Sequence, residues 1–171
     1  FTGTSLQLLN EHIFSPAQVS INDQFADQPL VQARLLQTMA NTLRELGLLE
    51  EAMEPQVKSL HLHSSELGEN HVDTLRSRHD IGRLLFKQGE LDQAMQYLSE
   101  ALQASRTHLG DEHLNTIQLI NSTGEIYLSQ SKFDQADACF AESLATTRRT
   151  LGADHPESMR AASAIGVLKL N

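Results

Sequence analysis

At 171 residues, 40% hydrophobic and 20% charged, the chain is long enough for one folded domain and is composed like an ordinary globular protein rather than a disordered or fibrous one. A net charge of −9 and a pI of about 5.3 argue against a broad basic surface of the kind that nucleic acid requires. The single cysteine, Cys139, permits no internal disulfide and points to a reducing, cytoplasmic setting, and no apolar run approaches the ~18 residues that a membrane-spanning helix needs.

In chain order, Leu6, Leu8, Leu9, Ile13 and Phe14 have the spacing of a short amphipathic helix, and Ser15-Pro16 opens a second one carrying Val19, Ile21 and Phe25. This pair, residues 1–26, is expected to cap the helices C-terminal to it. From Pro29 a helix A runs through Ala40 and Leu43 to a turn at Gly47. A helix B comes next, with Leu49, Ala52 and Leu60. Pro55 is expected to kink or break that helix B, and Gln56 stands in a slot that is apolar in later units. The next helix A starts at His71 and carries Leu75, Ile81, Gly82, Leu84 and Leu85. Gly89 makes the turn, and helix B carries Leu91, Ala94, Met95, Leu98, Ala101 and Leu102 before stopping at Leu109-Gly110. The third unit repeats this with Ile117, Gly124 and Tyr127, then Phe133, Ala136, Phe140 and Leu144. A last helix A, from about Pro156 to Leu170, has no helix B, and Lys169 stands where Leu85 and Tyr127 pack. The chain starts at Phe1 rather than at a methionine and ends inside a helical pattern, as expected of a piece of a larger protein.

These units are copies of one another. Leu67-Gly68-Glu69-Asn70-His71 recurs 42 residues on as Leu109-Gly110-Asp111-Glu112-His113, and again as Leu151-Gly152-Ala153-Asp154-His155. Between the first two copies 12 of 42 aligned positions are identical, enough to fix the alignment without gaps. A long fixed period means stacked units that share one continuous core, with an extended concave surface as the usual working part. Within the period a small residue recurs in mid-helix A (Ala40, Gly82, Gly124, Gly166) and another in helix B (Ala52, Ala94, Ala136). Glycine inside a helix costs about 1 kcal/mol relative to alanine, so its recurrence needs a recurring benefit, which is close approach of the antiparallel partner helix.

The small-residue pair, the position three residues after the glycine (Tyr127, Leu85) and Leu91 or Phe133 opening helix B resemble the tetratricopeptide repeat. The Leu-Gly-x-x-His linker and long helix B resemble its kinesin-light-chain-like branch, whose bacterial members include repeats behind serine/threonine kinase domains; Phe25-Ala26-Asp27-Gln28-Pro29 also looks like those. The resemblance implies an all-α, right-handed superhelix of antiparallel helix pairs, with about three full repeats plus a half repeat over residues 27–171. It implies a non-enzymatic scaffold that binds a protein or peptide in its concave groove. The Lys/Asn clamp of the chaperone-binding members is not reproduced, since Gln37 and Asp80 occupy clamp-like positions. Self-association through the half repeat into a homodimer is the alternative, and a regulatory arm of an upstream kinase is a third.

Projecting helix A outward from helix B gives the groove positions, among them Arg34, Asn41, Arg44, Arg76, His79, Arg83, Lys87, Asn121 and Arg160. The projected face holds six Arg or Lys and three acids, so it is net basic in an acidic chain and suits an acidic or C-terminal-carboxylate peptide. No chemistry competes with this. His71, His113 and His155 lie one repeat apart and cannot share an ion at ~2.0–2.1 Å, so each is expected to cap a helix A. Ser129-Gln130-Ser131-Lys132 matches a Ser-x-x-Lys pattern without its partner motifs. No catalytic residue, metal or cofactor, nucleic acid or membrane is expected.

Overall fold

The structure, a computed structural model, describes residues 3–169. Every regular element among them is helical. The N-terminal segment comprises α1 (Gly3–Leu9), a π turn (Asn10–Phe14) and α2 (Ser15–Gln24). The remaining helices are α3 (Pro29–Leu46), α4 (Leu49–Leu67), α5 (Val72–Gln88), α6 (Leu91–His108), α7 (Leu114–Ser129), α8 (Phe133–Thr150) and α9 (Pro156–Leu168). They fall into two compact units that divide between Gly89 and Glu90. Leu170, expected in the last helix, lies outside the described residues.

In the first unit α3 packs on α4 and α4 on α5. Met39, Leu43, Leu48, Ala52 and Leu84 form a buried cluster, against which Leu6, Phe14, Ala17 and Ile21 of the N-terminal segment are laid. That segment is not two helices. Phe14 (φ −73°, ψ −44°) and Ser15 (φ −63°, ψ −46°) keep right-handed helical angles, and the Ser15 N–H donates to the Asn10 carbonyl. Pro16 lacks an N–H and its ring would crowd the carbonyl four residues back. The wider π turn just before it absorbs that conflict, and the chain continues instead of breaking.

Pro55 does not break α4 either, which runs through it from Leu49 to Leu67. A proline in a helix interior costs about 3 kcal/mol. Here the helix is clasped by α3 and α5, and Ala52, Pro55, Gln56 and Ser59 are all buried around the site. Gln56 is tolerated in its apolar slot because its amide donates to the Ser77 carbonyl at 3.4 Å.

In the second unit α6 packs on α7, α7 on α8 and α8 on α9. The core is Leu98, Ala101, Ile117, Leu119, Ile120, Ile126, Ala136, Phe140 and Ala161. Gly124 sits against α8 as the sequence suggests, but the residues that need its lack of a side chain are Phe140 and Cys139 rather than Ala136. A Cβ there would lie 2.8 Å from Phe140 Cε1 and 3.1 Å from Cys139 Cβ.

The repeated linker has a repeated structure. His71, His113 and His155 are each the N-cap of a helix A, with Nδ1 accepting from the N–H two residues on at 3.2, 3.1 and 3.2 Å. Three residues past each histidine a hydroxyl reaches back. Thr74, Thr116 and Ser158 donate to the carbonyls of Gly68, Gly110 and Gly152 at 2.8, 2.8 and 2.7 Å. Those glycines have φ of 88°, 90° and 95°, which any side chain would resist. The Gly-x-x-His-x-x-Ser/Thr spacing is therefore a structural clasp.

Candidate interaction face on the A helices

The face bears on α3 and α5 in the first unit. Arg34 and Lys87 are exposed, and Arg76 is exposed with its guanidinium 3.5 Å from Asp73. Arg83 is half-buried. Arg44 and His79 are buried, at 6% and 4% exposure, and Asn41 is half-buried. The A-helix face thus has an exposed layer of cations above a layer of sequestered polar groups.

Asp80 organises the lower layer. Its carboxylate, on α5, accepts from Gln37 Nε2 at 2.9 Å, Asn41 Nδ2 at 3.5 Å and Arg44 Nη1 at 3.5 Å, all on α3. A buried carboxylate is tolerable only when its lone pairs are matched in this way. Arg44 also pairs with Glu45 at 3.3 Å. Partial burial pulls the Glu45 pKa upward, but the Arg44 hydrogen bond and the charges of Arg44, Lys87 and Arg83 outweigh it and hold the carboxyl below its ordinary value. These cations therefore gather around the C-terminal ends of α3 and α5.

The second unit has a related arrangement. Glu157 on α9 accepts from Asn121 Nδ2 at 2.8 Å and Gln118 Nε2 at 3.2 Å, both on α7. Arg160 bonds Glu125 at 2.7 Å and lies 3.7 Å from Glu157. Asn121 is fully buried, so it and Arg160 join α7 to α9. The roles of Asp80, Glu157 and Gln37 as inter-helix fasteners were not visible in the projection of one helix at a time. The legible signal was an acid on one A helix facing amides on the previous one.

The Ser-x-x-Lys residues make local contacts. Ser129 Oγ donates to the Ile126 carbonyl of its own helix at 2.8 Å, and Lys132 lies over the Tyr127 ring at 5.9 Å. Among the described residues no three His, Cys, Asp or Glu side chains converge as metal ligands. No described helix is long and apolar enough to cross a membrane.

A family model for the tetratricopeptide repeat matches residues 31–107 and 85–145, most of the chain. The chain belongs to the tetratricopeptide repeat family. Repeats of this family mediate protein–protein interactions. The fold is similar to that of BtubC (BKLC) from P. vanneervenii, with a TM-score of 0.75 and 18% identity over 91% of this chain and 63% of that one. It is also similar to nearly identical TPR-like repeats of a putative kinesin light chain from Podosopora anserina, with a TM-score of 0.68 and 21% identity over 81% of this chain and 69% of that one. A point variant of the latter protein gives a TM-score of 0.65 and 21% identity over 78% of this chain and 66% of that one. The chain thus spans less than two thirds of the BtubC chain it resembles. No curated protein matches it.

Proposed function

We propose that the chain is a non-enzymatic cytoplasmic scaffold whose first unit takes an acidic peptide along the A helices α3 and α5. What supports this reading is the division of charge on that face. Asp80 is buried and already satisfied by Gln37, Asn41 and Arg44, so its negative charge is spent inside the fold. The fully exposed charges on the two helices are Arg34, Arg76 and Lys87 against Glu45, a cationic excess. Cations gathered on one surface raise its local potential in a chain that is acidic overall. In this reading those three, with Arg83, make the direct contacts, while Arg44, Asn41 and His79 hold the wall beneath them. In the second unit Asn121 and Arg160 brace the corresponding face. Residues 1–26 serve as the cap of the repeat region 27–171, since Leu6, Phe14, Ala17 and Ile21 cover its first core cluster.

The test is a fluorescence-anisotropy titration with acidic and basic peptides of equal length, at low and high salt. Acidic peptides bind more tightly, at about micromolar Kd since a short segment is ordered on docking, and rising salt weakens them. The double variant Arg34→Glu/Lys87→Glu loses that preference. An unchanged affinity in the double variant, or a preference of the wild type for basic peptides, would remove the reading.

A further inference from the structure

A cleft of about 350 Å³ lies between α6 and α7, inside the second unit and near the lower end of the size range of small-molecule sites. Met95, Ser99, Leu102, Gln103 and Arg106 form its wall on successive turns of α6, and Thr123 and Tyr127 of α7 form its floor. Three of these positions are aliphatic one period earlier, where Val57, Ile81 and Leu85 stand in place of Ser99, Thr123 and Tyr127. Ile81 and Leu85 are closed over, at 1% and 6% exposure, whereas Tyr127 is half-exposed. Each exchange puts a hydroxyl where a purely structural contact is served by hydrocarbon. Ser99 Oγ donates to the Gln96 carbonyl at 3.0 Å and Thr123 Oγ1 to the Leu119 carbonyl at 2.9 Å, each within its own helix. The Gln103 amide and the Tyr127 phenol make no hydrogen bond among the described residues, so they stay open to water or to a ligand. Arg106 is not open in this way. It bonds Glu142 of α8 at 2.6 Å and lies 3.6 Å from Asp111, so its charge is matched twice and the ion pair bridges α6 to α8 at that end of the wall.

We propose that this cleft binds an uncharged small molecule carrying an aromatic ring and one group that both donates and accepts a hydrogen bond, such as a primary amide. The ring packs on Met95, Leu102 and the Tyr127 ring, and the polar group pairs with the Gln103 amide. Charge decides against the alternatives. An anion would have to displace Glu142 or Asp111 from Arg106, and a cation would meet Arg106 at one end and, over the Tyr127 ring, Lys132 at 5.9 Å. The Arg106–Glu142 bridge also makes the cleft a bounded seat, which suits a single ring better than a peptide running along the helix. The site is independent of the cationic face in the first unit, and either can fail without the other.

The probes are benzamide, benzoate and benzylamine, which share a ring and differ in charge, each titrated into the isotopically labelled full chain and followed by amide chemical shifts. Benzamide shifts the signals around Met95, Leu102, Thr123 and Tyr127, with a Kd on the order of millimolar for so small a probe. Benzoate and benzylamine bind at least about fivefold more weakly. Gln103→Leu weakens benzamide about two- to tenfold, as loss of one hydrogen bond demands. Ser99→Phe places a ring in the cleft and abolishes the localised shifts. Both residues are exposed, so the variants keep their helical circular dichroism. Shifts scattered over the chain with no focus at the cleft overturn the proposal, as does binding that survives Ser99→Phe. Equal or tighter binding of benzoate or benzylamine overturns the ligand class, and an affinity unchanged by Gln103→Leu overturns the role of that amide.

Discussion

Alanine at Gly124 and alanine at Gly166 should change stability in opposite directions, although the two glycines are the same position of the repeat. Either substitution gains up to about 1 kcal/mol of helix propensity. At Gly124 the new methyl would lie 2.8 and 3.0 Å from Phe140 Cε1 and Cζ and 3.1 Å from Cys139 Cβ. Carbon atoms rest at about 3.5–4.0 Å, so the ring has to retreat by roughly 0.7 Å. Phe140 is 1% exposed, so its ring can retreat only into the core, and the Cys139 Cβ is fixed to the α8 backbone. Overpacking of this kind costs about 1–3 kcal/mol. Net, Gly124→Ala should lose about 0–2 kcal/mol, while Gly166→Ala, with nothing within 4 Å, should gain a fraction of the propensity term near its helix end. Urea denaturation followed by circular dichroism separates the two midpoints. Phe140→Leu in the Gly124→Ala background should return part of the loss. Equal shifts of the same sign, or a Gly124→Ala protein more stable than the parent, would refute the packing argument.

Two further outcomes rest on particular residues. Ser131 stands where earlier units have Gly47 and Gly89 and is held at φ 58°, so Ser131→Gly should stabilise by up to about 1.5 kcal/mol, after the ~0.4–1 kcal/mol that glycine's freer unfolded state gives back, read as a higher urea midpoint. A lower midpoint would show that the left-handed turn is not strained. His63 is 1% exposed with Nδ1 2.9 Å from Ser77 Oγ, and burial lowers its pKa, an effect that Asp73 opposes and Arg34, His71 and Arg76 reinforce. Because the folded value is depressed, the unfolded chain takes up this proton first. Stability is full above the unfolded pKa of about 6.5 and falls as pH drops below it. His63→Gln should flatten the fall in Tm between neutral pH and pH ~5, and an identical pH profile in the variant would show that His63 does not carry it.

The parts of this fold that were legible from sequence are those in which one residue's role is fixed by its own backbone neighbours. The Leu-Gly-x-x-His linker is local: the glycine supplies the positive φ and the histidine caps, so its recurrence could be read directly, whereas the Ser/Thr hydroxyl that closes the turn onto the glycine carbonyl appears only in the structure. The breaks expected at Pro16 and Pro55 do not occur, for the converse reason. Proline's penalty is local, but the π turn before Pro16 relieves one case and the packing of α4 between α3 and α5 outweighs the other.

The candidate face was harder still, because a helical projection gives direction and not depth. Arg44, His79 and Asn121 do project from the A helices as expected, yet each is buried. What covers Arg44 and Asn121 includes a carboxylate from the next A helix, 36 residues away in both cases. The period could not reveal these fasteners either, since Asp80 and Glu157 are not a whole number of repeats apart. Each unit joins its A helices with the same donor-to-acid spacing, set at a different point of the repeat. In the proposed peptide-binding reading, the polar floor between α3 and α5 is tied up internally and only the exposed layer is left to choose between ligands, so charge reversal at Arg34 and Lys87 should change peptide choice, whereas loss of Asp80 should first loosen α3 from α5.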